Sequence, residues 1–381
     1  MGVIRHKINS AVFFVYKTVN TFRIFPKGEN MENISISIII PVYNAEKYLP
    51  ECLNSVAEQT FKNIEVLCVD NDSKDSSPEI IKNFTQKYKN FRYLYKKGGM
   101  AGGARNEGLK YSKGKYILFL DSDDKLISNA CQILYDTAQN NDADIVSSSF
   151  TLFNDSGSIL GTYDGTHINN LLSKYKITPS RLLYIGAGII GRPWGNLIKK
   201  SLIEKNALYF PEGLSAEDVP FMGALFAFAG KVIFLNQPLT LYRDTKNSLS
   251  KSNKTNSAKS DFTNYIPIRE ILKKHKIYEQ VCEQFEYILL KQIIGGESIG
   301  NGRLKQSDLK QTKDFFTLCK HWYLSLPEDF FNKRNAVFKF KFLLFKFALR
   351  HNLYFMPKAV RIIVNPFIFI HKLFFKQTEL F

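Results

Sequence analysis

The run Tyr116-Ile117-Leu118-Phe119-Leu120, leading into Asp121-Ser122-Asp123-Asp124, limits the folds open to this chain more than any other stretch. Five aromatic and branched residues, apolar on both faces, predict a strand buried on both sides, as in a parallel sheet covered by helices. Three carboxylates then fall within four positions. Like charges this close repel one another unless a cation or several hydrogen bonds offset them. Open α/β sheets bind ligands beyond the carboxyl ends of their strands, and Mg²⁺ takes few protein carboxylates, completing its shell with water and phosphate oxygens. The cluster therefore reads as a metal and diphosphate site on Asp121 and Asp123. The simpler alternative is a helix over 126–137 capped by Asp123 or Asp124.

Three strand–helix units precede it. Strands are predicted at 34–41, 64–69 and 91–95, and helices at 45–59, at 78–88 and from about Ala104. Pro78 falls in a first turn, where its missing N–H is harmless. Pro41-Val42-Tyr43-Asn44 closes the first strand and Asp70-Asn71-Asp72-Ser73-Lys74-Asp75 the second. This repetition predicts a doubly wound nucleotide-binding half over 33–137. A second half is expected over 138–250, with a strand at 145–152 and a polar stretch at 154–170 read as a loop over the site. It also holds Arg192-Pro193-Trp194, Glu217-Asp218-Val219-Pro220-Phe221 and Leu241-Tyr242-Arg243. Residues 245–260, rich in Ser, Asn and Lys, read as a mobile loop or linker, and the pattern is helical from Asp261 to about Leu324, in a region taken as 251–332.

The formal net charge of +17 is carried by the ends: five Lys/Arg and no acid in 1–28, ten and none in 333–376. The nearly neutral middle argues against a nucleic-acid-binding core. In 1–32, Ile4, Ile8, Val12, Val15, Val19 and Phe22 form one helical stripe accompanied by Arg5, Lys7, Lys17 and Arg23. Such a basic amphipathic helix lies on an anionic membrane or packs on the protein. The tail from 333 to 381 alternates Phe and Leu with Lys and Arg, and its longest uncharged run, 362–370, is nine residues, against the roughly 20 needed to span a bilayer. It can lie on a membrane without crossing it, each basic residue near an anionic surface being worth about 1 kcal/mol; the alternative is a helical cap with its Lys stems laid over the core. Five widely spaced cysteines fit neither a disulfide framework nor a metal knuckle, so a reducing cytosol is expected.

Together these motifs resemble the family 2 inverting glycosyltransferases of the GT-A fold, over residues 35–250. Ile38-Ile39-Ile40-Pro41-Val42-Tyr43-Asn44 resembles that family's nucleoside-contacting first strand, and Val69-Asp70-Asn71-Asp72-Ser73-Lys74-Asp75-Ser76 its base-binding turn. Ala104-Arg105-Asn106-Glu107-Gly108 is similar to the helix beside the donor, and Asp121-Ser122-Asp123-Asp124 occupies the metal motif. Glu217-Asp218-Val219-Pro220-Phe221 matches Glu-Asp-x-x-Phe, and Tyr242-Arg243 the diphosphate-side loop. Two departures stand out. Asn71-Asp72 replaces Asp-Gly in the base-binding turn, where Asp tolerates a left-handed conformation. Asp244-Thr245 supplies no second basic residue after Arg243.

The resemblance implies an α/β fold: a GT-A doubly wound mixed sheet with a C-terminal helical, basic, membrane-associating extension. It implies a UDP-sugar donor contacted by Pro41, Tyr43, Asp70, Asp72, Arg105, Asp121, Ser122 and Arg243. Mg²⁺ or Mn²⁺ would sit on Asp123 and Asp121, Asp218 would serve as catalytic base, and Trp194 and Glu217 would face the acceptor. Simpler roles stay open: Asp70 as a turn residue, Arg105 as a surface ion pair, Asp218 as a helix cap near Ser215, Arg243 as a partner of Asp244 or Glu217, and Tyr43 and Trp194 as core. Channel helices and Gln-x-x-Arg-Trp are both missing, which implies a distributive enzyme. A glycan or lipid-linked acceptor and a cytoplasmic location, peripheral on the inner face of the cell membrane, follow from the basic ends. A non-catalytic membrane-surface scaffold is the alternative. A nicotinamide oxidoreductase is disfavoured because Gly98 to Gly103 follows the third strand instead of the first.

Overall fold

The computed structural model describes residues 34–245 except 167, 171–175 and 214–215, then 258–294, and a few positions between 343 and 351. The amphipathic segment expected at 1–32 and nearly all of the basic tail at 333–381 lie outside the described residues. Four parallel strands, β1 (Ile36–Val42), β2 (Ile64–Asp70), β3 (Phe91–Tyr95) and β4 (Tyr116–Phe119), lie in the order β3-β2-β1-β4. The direction of winding reverses between β1 and β4, and the crevice beyond their carboxyl ends is where such sheets receive ligands. The sheet continues through β5 (Lys125–Leu126), β6 (Ile145–Phe153), β7 (Ile159–Tyr163), β8 (Asn196–Lys199) and β9 (Val232–Arg243). β8 runs antiparallel to both β4 and β6, β9 parallel to β6, and β5 antiparallel to β9, so the sheet is mixed.

Side-chain alternation assigns each strand residue to one of two cores. Ile39, Leu67, Val69, Ile117 and Phe119 face one side. Ile38, Ile40, Val66, Cys68, Leu118 and Leu120 face the other. The second side is covered by α1 (Leu49–Ala57), α2 (Ser77–Lys87) and α4 (Ala130–Asn141), through Leu49, Leu53, Val56, Ile81, Cys131 and Leu134. The first is covered by α3 (Met100–Tyr111) and α5 (Pro179–Tyr184), which continues into a π turn at Ile185–Ile190. It is also covered by α6 (Lys200–Lys205), α7 (Asp218–Phe228), α8 (Ala258–Lys274) and α9 (Tyr278–Ile294). From Pro220 to Ala227 helix α7 is apolar on every face because it is buried on every face. Cys52, Cys68 and Cys131 are free, buried thiols, and burial pushes Cys68 and Cys131 up to about 12, so they act as inert core.

Several boundaries differ from those the sequence predicts, each for a local reason. The helix expected from Ala104 begins at Met100, because left-handed Gly99 (φ 88°) turns the chain into it. The stretch 154–170 is not one loop: β7 pairs antiparallel with β6, making a hairpin whose turn is held by the Asn154 side chain. Neither Asp123 nor Asp124 caps a helix. β5 pairs with β9 directly after them, and α4 starts at 130 with Asn129 at its N-cap.

Glycines in α3 set how closely the helix approaches the sheet. A Cβ on Gly108 would overlap Ile39 Cγ2, a branched core atom with nowhere to move, and one on Gly102 would overlap the carbonyl of Pro211. Gly108→Ala should therefore lower stability by about 1–3 kcal/mol, the usual cost of overpacking. The urea unfolding midpoint reads this out, and an unchanged or raised midpoint would contradict the packing described.

Candidate active site

The turns that follow β1 and β2 interlock. Asn44 N–H donates to Ser73 Oγ (3.1 Å) while Lys74 N–H donates to Asn44 Oδ1 (2.8 Å). Likewise Glu46 N–H donates to Asp75 Oδ2 (3.0 Å) and Ser76 N–H to Glu46 Oε2 (2.9 Å). Asp72 adopts φ 67°, the left-handed geometry that its replacement of Gly requires. Asp70, buried at the end of β2, accepts from Ser73 N–H (3.0 Å) and from the Tyr93 hydroxyl (2.9 Å), and Asp72 accepts from the Tyr95 hydroxyl (2.9 Å). Burial and Asp70 push the Tyr93 phenol up to about 12, so it stays a donor at neutral pH. Tyr43 is 60% exposed, which removes its reading as core, whereas Pro41 is buried beside Val69.

Arg105 joins the two halves of the domain. It projects from α3, is 5% exposed, and donates from Nη2 to Asp121 Oδ1 (2.9 Å) and from Nη1 to Glu217 Oε1 (2.8 Å). Its plane lies over the Phe210 ring at 5.4 Å. Asn106, one residue on, accepts from Phe210 N–H (2.9 Å) and donates to Phe210 O (2.8 Å), fixing the segment that leads into α7. Arg105 is thus a buried bridge and not the surface ion pair the sequence left open. Glu217, expected on the acceptor side, has its carboxylate turned to Arg105 and sits at the N-cap of α7. Asp218 follows as the first residue of that helix, accepting from its neighbour Val219 N–H (2.9 Å). Burial first, then the Glu217 carboxylate, push it up to about 7, although Arg105 pulls the other way.

At the end of β4, Asp124 is fully buried and accepts the backbone N–H of Arg243 (2.8 Å), which clips the end of β9 to the aspartate loop. Ser122 and Asp123 are half-buried beside it. Burial, then the neighbouring Asp121 charge, push Asp123 up to about 6. The charge of Arg243 opposes that shift only in part. Among the described residues no three His, Cys, Asp or Glu side chains gather into a metal cage. Two carboxylates do fit an ion that completes its shell with phosphate and water oxygens.

Arg243 is 4% exposed and lies between the rings of Tyr48 (4.6 Å) and Phe153 (4.4 Å). It donates from Nε to Asp123 O (2.9 Å) and from Nη2 to Glu51 Oε2 (2.9 Å), and its Nη1 lies 3.7 Å from Asp155. Its carboxylate partners come from α1 and the β6–β7 hairpin, not from Asp244 or Glu217 as the sequence suggested. Trp194 is 6% exposed, stacked on Tyr242 at 4.8 Å and edge-on to Phe150 at 5.1 Å, so its face is packed among aromatics. A bridge to Phe119 places it beside the end of β4. Glu51, Tyr93 and Asp155 escaped the sequence reading, and Asp124 was read as a helix cap or part of the metal motif, not as an acceptor for the Arg243 N–H. Of these, only Tyr93 left a signal, as one of two tyrosines two apart on the third predicted strand.

Residues 37–197 match the family described as glycosyl transferase family 2. Glycosyltransferase GlyG of Streptococcus pneumoniae serotype 4 is 32% identical over 231 residues, which is 57% of this chain and 73% of GlyG. Glycosyltransferase GlyA of the same organism is 35% identical over 228 residues, 57% of this chain but 31% of GlyA. The match therefore spans under a third of that relative's length. Among solved structures, S. aureus TarS 1-349 in complex with UDP superimposes with a TM-score of 0.63 at 21% identity, covering 86% of this chain and 90% of that one. The same fragment in complex with UDP-GlcNAc gives 0.62.

Removing the cation that bridges two carboxylates should be costly. Arg105→Leu leaves Asp121 and Glu217 partly buried without a counter-charge and should lose about 3–5 kcal/mol, the range for breaking a buried pair. Chemical denaturation measures it, with Arg105→Lys expected to fall between the variant and wild type.

Proposed function

This chain belongs to glycosyl transferase family 2, and we propose that it moves one sugar from a UDP-sugar to a hydroxyl of a glycan or lipid-linked acceptor, with inversion. The reading rests on one observation above all: a single guanidinium, Arg105, touches both the carboxylate that ends β4 and the glutamate preceding Asp218. That bridge supports a reading in which the candidate donor end and the candidate base serve one site.

In this proposal the base stacks on the exposed Tyr43 beside Pro41, and Asp70 and Asp72 receive its N–H and the ribose side. Asp70 is already oriented by hydrogen bonds from the Ser73 N–H and the Tyr93 hydroxyl. Asp121, Ser122 and Asp123 face the diphosphate. Mg²⁺ or Mn²⁺ held by Asp123 and Asp121 would supply Lewis-acid stabilisation of the leaving diphosphate. Arg105 keeps Asp121 in place and balances its charge. Arg243, with Glu51 on one arm, fixes the aspartate loop through Asp123 O and reaches the diphosphate by exchanging that exposed glutamate for phosphate oxygens. Asp218 takes the proton of the acceptor hydroxyl as its oxygen bonds to the anomeric carbon. The bond from that carbon to the diphosphate oxygen breaks on the opposite face. UDP leaves with the electron pair and the product has inverted configuration.

The likeness to TarS, solved with UDP and with UDP-GlcNAc, supports uracil as the base. The basic ends of the sequence support an acceptor at the inner face of the membrane, with the protein peripheral there. Among the described residues no helix is long and apolar enough to cross a bilayer.

A base acts deprotonated, so a carboxyl raised to about 7 gives a transfer rate that falls as pH drops through about 7 and levels off above it. Asp218→Asn should cut kcat by about 10²–10⁴-fold while leaving the UDP-induced rise in melting temperature intact. A variant that keeps its rate removes Asp218 from the mechanism. Asp123→Asn should abolish the extra thermal stabilisation that Mn²⁺ adds to UDP. An unchanged Mn²⁺ increment would take Asp123 out of the metal site.

A further inference from the structure

Arg192 follows the π turn at Ile185–Ile190, where Gly191 (φ 59°) turns the chain. Its guanidinium lies over three rings: Trp194 (4.6 Å), Phe150 (4.7 Å) and Tyr163 (5.9 Å). Phe150 stacks on Tyr163 at 5.1 Å, and Trp194 on Tyr242 at 4.8 Å, so the rings support one another as a box. Its Nη2 donates to Ser148 O (3.1 Å) and its buried Nε has no partner. Arg105, Arg243 and Arg269 each have a carboxylate within 2.9 Å. Among the described residues Arg192 has none. Burial lowers its pKa to about 10, with only the Tyr163 hydroxyl acting against the shift.

A buried cation without an anion is expensive. Ring faces compensate it in part, and with one N–H given to Ser148 O the guanidinium keeps further donors for another acceptor. This geometry suits a phosphate, which a guanidinium grips with two parallel hydrogen bonds. The box also has a defined address. Trp194 bridges to Phe119 at the end of β4, and a Cβ on Gly191 would lie 3.9 Å from Val219, the residue after Asp218. Gly191 and Trp194, on either side of Arg192-Pro193, thus lie against the first turn of α7 and the end of β4, in the second half of the domain.

We propose that Arg192 and its aromatic box form a subsite for a phosphate group carried by the acceptor, so that the enzyme selects phosphate-bearing acceptors over neutral ones. The assignment of that phosphate to the acceptor rests on the transferase reading; phosphate recognition at Arg192 does not.

The test uses the full chain carrying Trp322→Phe, which leaves Trp194 as the single tryptophan of the two in the sequence. Glycerol phosphate is titrated at constant ionic strength, with glycerol and inorganic phosphate as controls, in the presence and absence of UDP and Mn²⁺. Glycerol phosphate should change Trp194 fluorescence saturably and glycerol should not. Arg192→Gln should weaken the phosphate ligand at least about tenfold, the effect of losing a charge-assisted pair, and Arg192→Lys less, while UDP raises the melting temperature of all three proteins equally. That last readout also shows that the variants fold. No saturable response, a response equal for glycerol, or unchanged affinity in Arg192→Gln would overturn the subsite. Inorganic phosphate binding as tightly as glycerol phosphate would make it a free-phosphate site. Displacement by UDP would assign it to the donor. Failure of the transferase reading itself shows separately, as UDP failing to raise the melting temperature.

Discussion

Arg105 holds the two halves of this domain in register. Asp121 comes from the end of a central parallel strand and Glu217 from the start of a helix in the second half, and neither reaches the other without the guanidinium between them. The surrounding sequence serves that bridge. Gly102 lets α3 lie close to Pro211 and Glu217, Asn106 pins Phe210, and Phe210 stacks on Phe221 at 3.7 Å beneath the guanidinium. A lysine would meet one carboxylate well and the other poorly, because only a planar fork presents two N–H pairs in fixed directions.

A second arginine closes the site from the other side. Arg243, at the end of β9, binds backbone and side-chain oxygens of the aspartate loop with its own main chain and guanidinium, while Tyr48 and Phe153 cover its faces. Asp121, Asp123 and Asp124 therefore differ in kind despite being neighbours in sequence. Asp121 is paired to Arg105, Asp124 is buried under the Arg243 backbone, and Asp123 keeps its carboxyl half-buried. One short run of like charges is divided among three tasks by where the neighbouring elements place their cations and N–H groups.

The parallel half was legible because its signals are local. Ile36–Val42, Ile64–Asp70 and Tyr116–Phe119 are mostly apolar runs, buried throughout and closed by polar turns, which is what a strand buried on both faces looks like. The residues at their ends could be read for the same reason. What the sequence concealed depends on partners distant in the chain: Glu51 with Arg243, Asp155 with Lys47, and Tyr93 with Asp70. β7 was hidden by its composition, since a strand exposed on both faces with a glycine in it resembles a loop. Trp194 and Tyr43 had equal prospects as core or surface, and only the assembled sheet separates one from the other.

The reciprocal hydrogen bonds between the turns after β1 and β2 have a bearing on affinity. Each turn supplies acceptors for the other's backbone N–H groups, so both are fixed ahead of the nucleoside proposed to bind there. A ligand seated on them need not freeze two independent loops, an ordering that would otherwise diminish its net free energy of association. Rigid turns also leave little latitude for a differently shaped base. Discrimination among nucleotides can thus reside in the stiffness of this mould as much as in the identity of the side chains that line it.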